Sequence, residues 1–175
     1  MKRITLLSLV SALTLVACEE TPPTTTTPTT TGGPDLSTLV WEGGCGDVTM
    51  YAGSEDRSLI LVFHHYDNLT EQSYDAGEPI TVELEAAGRV ELVQGHDVFD
   101  LYCNDVLDDE VVDRTWEAVS GTVTLTVAAT GEQDPWATYA DATLELDQVL
   151  LQADDEEDVL IDSMSWEAFV GWLPG

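Results

Sequence analysis

Past its first 34 residues, the chain alternates hydrophobic and polar positions with the period of two that is typical of β-strands. The clearest alternation lies within residues 116–128, where threonines separate Val123, Leu125 and Val127. Residues 59–66 are instead almost continuously apolar, which is typical of a central strand buried on both faces. The pattern predicts strands at residues 47–52, 59–66, 79–86, 89–94, 98–103, 116–128, 140–151 and 160–172.

The links between these segments indicate hairpins. Ala87-Gly88 predicts a tight turn that pairs residues 79–86 with residues 89–94. A phase shift near Gln148 predicts a β-bulge, and the acidic run at 154–158 predicts a loop. Residues 166–172 also fit a short helical turn.

No long segment repeats every 3.6 residues, so the predicted fold class is all-β. About seven to nine short strands favour an antiparallel β-sandwich or a related antiparallel barrel, formed by one acidic domain over residues 35–175.

The N-terminus has a different pattern. Lys2 and Arg3 precede an uncharged apolar run of 13 residues, 4–16, which is the arrangement of a secretory signal peptide over residues 1–17. The run is too short to span a bilayer, which takes roughly 20 residues. Residues 18–34 are rich in Thr and Pro and lack the apolar side chains of a core, so we expect a disordered tether.

Leu15-Val16-Ala17-Cys18 resembles the lipobox of bacterial lipoproteins. The resemblance implies that Cys18 becomes the mature N-terminus and carries acyl chains, and two or more chains anchor a protein stably to a membrane. Because residue 19 is Glu rather than Asp, it also implies the outer membrane of a Gram-negative cell envelope. Residues 45–47, 59–66 and 120–125 are similar to stretches of small bacterial lipoproteins, a likeness that implies no activity.

The charge of the chain restricts its partners. All 34 Asp and Glu follow Cys18, where the basic residues other than histidine are Arg57, Arg89 and Arg114. Nucleic-acid binding is excluded because that affinity depends on Lys and Arg neutralising phosphates. Anionic lipid surfaces are disfavoured, which makes the lipid on Cys18 the expected membrane attachment. Such charge destabilises a fold through self-repulsion, which either a saline habitat or bound divalent cations would relieve.

With Cys18 assigned to lipid, Cys45 and Cys103 remain as an even pair in an exported chain, which predicts a disulfide. The alternative, a thiolate metal site, has neither a C-x-x-C pair nor a third thiol.

Two clusters are candidate metal ligands. Carboxylate and amide oxygens suit Ca²⁺, and the weak calcium candidates are Asp97, Asp100, Asn104, Asp105, Asp108 and Asp109. The EF-hand spacing is absent, and a solvated acidic loop is the alternative. His64 and His65 are adjacent on a predicted strand and therefore point to opposite faces, so they are not expected to bind one ion. His65 and Asp67 could share a face, and histidines at a strand end or in the core are the alternative.

The chain contains none of the common hydrolase or nucleotide-binding motifs, and no lysine follows residue 2. We therefore expect a protein without enzymatic activity and with no cofactor other than the candidate Ca²⁺, acting as a binding or envelope-structural module. A calcium-dependent adhesion or carbohydrate-binding domain is the alternative, because some of the five tryptophans could stack on sugars. A hydrolase using two carboxylates is a third possibility. The sequence does not identify the protein or glycan partner.

Overall fold

The computed structural model describes residues 33–46, 49–66, 69–103, 110–129 and 139–171. Within them the protein is all-β, which confirms the predicted fold class. The strands are β1 Leu39–Cys45, β2 Thr49–Ser54, β3 Leu59–His65, β4 Ile80–Glu83, β5 Gly88–His96, β6 Val111–Ala129, β7 Tyr139–Gln152 and β8 Val159–Gly171. The helices are α1 Leu69–Ala76 and α2 Leu84–Ala87, and single 3₁₀ turns cover Leu36–Thr38 and Val98–Leu101.

The described strands form one antiparallel sheet that is nearly closed like a barrel. Its order is β1-β2-β3-β5-β6-β7-β8, and β4 pairs with β6 beyond the end of β5. Each of these seven strands is antiparallel to the next, and because seven is odd, the first and the last run in the same direction.

β1 and β8 therefore meet side by side in parallel, a line that we call the seam. The Gly171 amide donates to the Gly46 carbonyl at 2.9 Å, and the Glu167 amide donates to the Glu42 carboxylate at 3.1 Å. A side chain thus satisfies an amide on the open edge of β8.

The main core fills the inside of this sheet. The predicted alternation is confirmed in β6, where Val123, Leu125 and Val127 are buried, and in β7 around Leu144 and Leu146. Trp116 and Trp166 are among the largest buried side chains. Burying such side chains contributes roughly 1.5–3 kcal/mol each by the transfer scale for apolar residues of medium size.

β3 is buried on both faces, as its apolar run predicts. Leu61 and Phe63 point into the main core, whereas Ile60 and Val62 join Val93 and Val98 in a second cluster on the outer face. Residues 97–103, which we call the strap, pass over this second cluster through Val98, Phe99, Leu101 and Tyr102.

α1 packs against β6 through one buried serine. The Ser73 hydroxyl accepts the Val127 amide at 3.0 Å and lies 3.2 Å from each of the carbonyls of Leu125 and Glu78. It therefore continues the hydrogen bonding of β6 where β4 ends.

Two predictions are wrong, the hairpin of residues 79–94 and the strand at residues 98–103. Residues 79–86 and 89–94 do not form a hairpin, because the chain turns through α2 after Glu83 and β4 pairs with β6. Leu84 and Ala87 are three residues apart, lie on one side of α2 and are both buried. A short helix therefore buries Leu84 just as the predicted strand would have done. Residues 98–103 contain a 3₁₀ turn rather than a strand. The strand predicted at residues 160–172 is confirmed as β8, so residues 166–171 do not form the alternative helical turn.

The other connections agree with the sequence. Gln148 has a φ of 51°, and the β6–β7 register shifts beside it, so the predicted irregularity is confirmed. The acidic run at 154–158 joins β7 to β8. β1 and α1 were not predicted, since β1 buries no residue fully and α1 is only 8 residues long.

Candidate functional site

The predicted disulfide is present. Cys45 at the end of β1 is bonded to Cys103 at the end of the strap, with 5.6 Å between their Cα atoms. Cys18 and the signal and tether residues before Gly33 lie outside the described residues, so lipidation stays a prediction. In the part of the chain that the structure describes, no helix is long and apolar enough to cross a membrane.

Two of the calcium candidates are paired with an arginine. Arg57 contacts Asp97 at 3.3 Å and also pairs with Asp100. The other candidates, Asn104, Asp105, Asp108 and Asp109, lie outside the described residues. Among the described residues, no group of three or more His, Cys, Asp or Glu is arranged to hold a metal ion, and the calcium site stays a prediction.

The two adjacent histidines lie on opposite faces of β3, as their spacing predicts. The Nδ1 atom of His64 lies 3.0 Å from the Thr49 hydroxyl on the outer face. His65 is buried on the inner face, where its Nε2 atom is hydrogen-bonded to the Thr70 hydroxyl.

An ionic cluster on the outer face surrounds His64. Arg89 pairs with the buried Glu91 and with Glu117, and the His64 and Tyr102 rings lie 5.4 Å apart. Burial raises the pKa of Glu91 and Arg89 opposes the rise. Burial, aided by the charge of Glu91, raises the pKa of Tyr102 to about 12. Burial followed by the charge of Arg89 lowers the pKa of His64.

This ionic cluster is structural in its geometry. Arg89 pairs with the buried Glu91 beside the strap, as a buried charge requires, and its second partner, Glu117, is exposed. Groups with shifted pKa values are often functional, but here the described partners account for the pairing without a ligand.

One concave surface formed by the described residues lies at the seam. A cleft of about 480 Å³ begins between β1 and β8 and extends across β6 and β7; ligand pockets commonly occupy roughly 300–1,000 Å³. We call it the seam cleft. It is lined by Glu42, Gly43, Gly44, Tyr51, Thr126, Ala128, Asp141, Ala142, Thr143, Glu167, Ala168 and Phe169.

The lining of the seam cleft combines three kinds of group. Carboxylates come from β1, β7 and β8, aromatic rings come from Tyr51 and Phe169, and hydroxyls come from two threonines of β6 and β7. Phe169 is 49% exposed. The arrangement places aromatic rings beside oxygen acceptors, which are groups that contact polyhydroxylated or positively charged molecules.

None of the arginines that the structure describes lines the seam cleft. Arg57 is paired with the strap, Arg89 with Glu91 and Glu117, and Arg114 with Glu156. A molecule with a negative charge would therefore meet carboxylates without a compensating cation, and the lining favours neutral or cationic molecules.

A second cleft, of about 450 Å³, lies at the end of the sheet near Pro34. Its carboxylates already have local partners: Asp35 accepts from the Ser37 amide and hydroxyl, and Asp56 accepts from Ser54 and Ser58. These bonds lower the pKa of each carboxyl and fix it within a turn. The seam cleft is therefore the better candidate site.

Sequence reasoning missed the seam cleft because it forms where the first and last strands meet. The one local signal is Gly43-Gly44, since a Cβ on Gly43 would lie 2.6 Å from the Tyr51 hydroxyl oxygen. None of the three described tryptophans lines the cleft: Trp116 and Trp166 are in the core, and Trp41 is 58% exposed outside the cleft lining. Trp136 and Trp172 lie outside the described residues.

No protein-family model, no curated protein and no solved structure matches the chain.

Proposed function

We propose that this protein is a lipid-anchored binding module of the bacterial cell envelope and that the seam cleft is its ligand-binding site. The observation that carries the binding role is the cleft itself, a concavity with aromatic rings, hydroxyls and carboxylates converging from separate strands. The lipobox-like Leu15-Val16-Ala17-Cys18 supports the anchor. The Cys45–Cys103 disulfide supports an oxidising, extracytoplasmic location.

The preferred ligand of this proposal is a neutral or amine-bearing carbohydrate. Tyr51 and Phe169 would stack on the apolar faces of sugar rings. The threonine hydroxyls would donate and accept hydrogen bonds around the ring edges, and the carboxylates would accept them. Anionic glycans are disfavoured by Glu42, Asp141 and Glu167. Neither bond making nor bond breaking is part of the proposal.

Binding of a defined glycan panel tests the cleft. Full-length protein in detergent is titrated with neutral, amino-sugar and uronic-acid oligosaccharides, and Phe169→Ala is compared with Tyr66→Ala. Tyr66 is a matched control because it is also an exposed aromatic residue, 51% accessible, but does not line the cleft. We expect Phe169→Ala to weaken binding about tenfold or more, as loss of a stacked ring does, and Tyr66→Ala to leave it unchanged.

Equal losses in both variants, or preferential binding of the uronic-acid glycans, would refute the assigned site. The same incubations report catalysis: released sugars would favour the carboxylate-pair hydrolase instead of a binding module.

Mass spectrometry tests the anchor. The protein purified from membranes of a Gram-negative host is expected to begin at Cys18 and to carry a diacylglyceryl thioether. Cys18→Ser is the control and is expected to leave the membrane fraction. Wild-type protein with Cys18 unmodified would remove the lipoprotein assignment.

The calcium-dependent alternative is tested by calorimetric titration. CaCl₂ is added to the full-length protein and to the variant Asp105→Asn/Asp109→Asn. Heat at millimolar calcium that is lost in the variant favours a calcium-dependent adhesion domain. Absence of heat in the wild type removes that alternative and leaves the glycan test unaffected.

A further inference from the structure

The strap is fastened to the sheet at both of its ends. At its start, the Val98 amide donates to the Arg57 carbonyl at 3.1 Å, and Arg57 pairs with Asp97 and Asp100 on the surface. At its end, Cys103 is bonded to Cys45. Exposed ion pairs contribute little to stability, so the strap is held mainly by its packing on the second cluster and by the disulfide at its end.

The backbone conformation at both ends of the strap also favours its detachment from the sheet. Asp97 and Cys103, which bracket it, both have positive φ, 51° and 62°, in the left-handed region that residues other than glycine adopt at a cost. Between them, Phe99 packs against Gly53 and Tyr51 rather than deep in the main core.

Tyr51 connects the strap to the seam cleft. One edge of its ring meets Phe99 of the strap, with 5.0 Å between the ring centroids at an interplanar angle of 82°. Its hydroxyl end lies over Gly43 and lines the cleft. A movement of Phe99 therefore changes the packing of a cleft residue directly.

β1 provides the second connection. Cys45 is the last residue of the strand whose Glu42, Gly43 and Gly44 line the cleft. β1 buries no residue fully, and Val40 and Trp41 are 62% and 58% exposed. A strand with so little burial has low local stability and depends on its ladder with β2 and on its covalent restraint.

We propose that the Cys45–Cys103 disulfide regulates the seam cleft, so that reduction by a dithiol frees the strap and loosens β1 and Tyr51 where they line the cleft. This inference rests on the proposed function, because it concerns the regulation of that same site. The oxidised protein has the ordered cleft, and the reduced protein has a cleft with one mobile wall.

In this thiol–disulfide exchange, the dithiol supplies the electrons and protons. One thiolate of the dithiol attacks the sulfur of Cys103, the more exposed of the two residues, and Cys45 leaves as a thiolate that takes up a proton. The second thiol of the dithiol then attacks the mixed disulfide, and Cys103 leaves as a thiol. Two electrons and two protons pass to the protein, and the dithiol becomes a cyclic disulfide.

Amide hydrogen exchange by NMR tests the proposal without a ligand. The full-length protein is labelled with ¹⁵N, and exchange is measured before and after reduction with dithiothreitol. Two amides report on the seam: Gly171, bonded to the Gly46 carbonyl, and Glu167, bonded to the Glu42 carboxylate. The control is the amide of Leu146, fully buried in the interior strand β7.

On reduction we expect the Gly171 and Glu167 amides to exchange about tenfold faster or more while Leu146 stays within about twofold, as for a local opening. The double variant Cys45→Ser/Cys103→Ser is expected to reproduce the reduced rates and to be unaffected by dithiothreitol. Unchanged exchange at Gly171 and Glu167 would overturn the proposal, and so would equal acceleration at all three amides, which would indicate global unfolding.

Failure of this test is distinct from failure of the proposed function. A protein that binds no glycan can still show coupled exchange at the seam. A protein that binds glycans through the cleft can show no coupling to the disulfide.

Discussion

Ser73 shows how much one buried hydroxyl contributes to this sheet. It is fully buried and bonds the Val127 amide and a carbonyl where β4 no longer covers β6. Ser73→Ala leaves these backbone groups without a partner, and we expect the free energy of unfolding to fall by about 1–3 kcal/mol. Urea denaturation measures this, with exposed Ser163→Ala in β8 as the control. Equal effects in the two variants would contradict the assigned role.

His64 predicts a loss of stability at mildly acidic pH. Its folded pKa is lowered from the ordinary 6.5 by burial and then by Arg89. As pH falls through 6.5, the unfolded chain binds a proton that folded His64 resists, so stability decreases. We expect the stability of the wild type relative to His64→Gln to decrease on acidification, as measured by urea denaturation across this range. A constant difference would show that His64 titrates normally in the folded protein.

For Glu91 we expect the opposite dependence of stability on pH. Burial raises its folded pKa above the ordinary 4.5, although Arg89 opposes the rise. The folded protein therefore holds this proton more tightly, and the associated stability is present below pH 4.5 and lost as pH rises through the folded pKa. Relative to Glu91→Gln, the wild type is expected to lose stability with rising pH. Exposed Glu145→Gln in β7 is the control, and a matching pH profile there would exclude burial of Glu91 as the cause.

At the scale of elements, the seam depends on how closely β1 approaches β8. A Cβ on Gly44 would lie 3.0 Å from the Thr49 carbonyl oxygen, 3.1 Å from that of Phe169 and 3.3 Å from Ala168 Cβ. The first two neighbours are backbone atoms that cannot rotate away. Gly44→Ala is expected to cost about 1–3 kcal/mol of stability, as overpacking does, and to speed hydrogen exchange at Gly171. Unchanged exchange there would mean that β1 can move without opening the seam.

The sequence predicted an element correctly where alternate residues along it are buried on one face, because that alternation alone identifies a strand. β6 and β7 were predicted because alternate residues enter one core over many positions. It failed at Leu84, because four residues cannot distinguish a strand from a helical turn that buries the same leucine. The strap was misassigned for a related reason: its apolar residues pack on the outside of the sheet, and this second apolar surface is created by β3 and β5.

At the scale of the whole molecule, the feature that most affects stability is the negative charge. With a formal net charge of −29, the folded chain repels itself. Raising NaCl shortens the screening length from about 10 Å at 0.1 M to about 3 Å at 1 M, so the melting temperature is expected to rise by several degrees. Calorimetry in NaCl and in MgCl₂ at equal ionic strength separates the causes. A rise confined to MgCl₂ would indicate bound divalent cations, and no rise in either salt would contradict the self-repulsion.

The sequence by itself determined the all-β class, the two-sided burial of β3 and the partnership of Cys45 with Cys103. These follow from local periodicity and from residue counts, which do not depend on the path of the chain. Only the tertiary structure decided that β4 pairs with β6 and that β1 and β8 lie side by side in parallel. It also decided that Tyr51 lies between the strap and the seam cleft. These features depend on contacts between residues far apart in the chain, such as Glu42 with Glu167. Such contacts form when the sheet curves round on itself, and no stretch of neighbouring residues encodes that curvature.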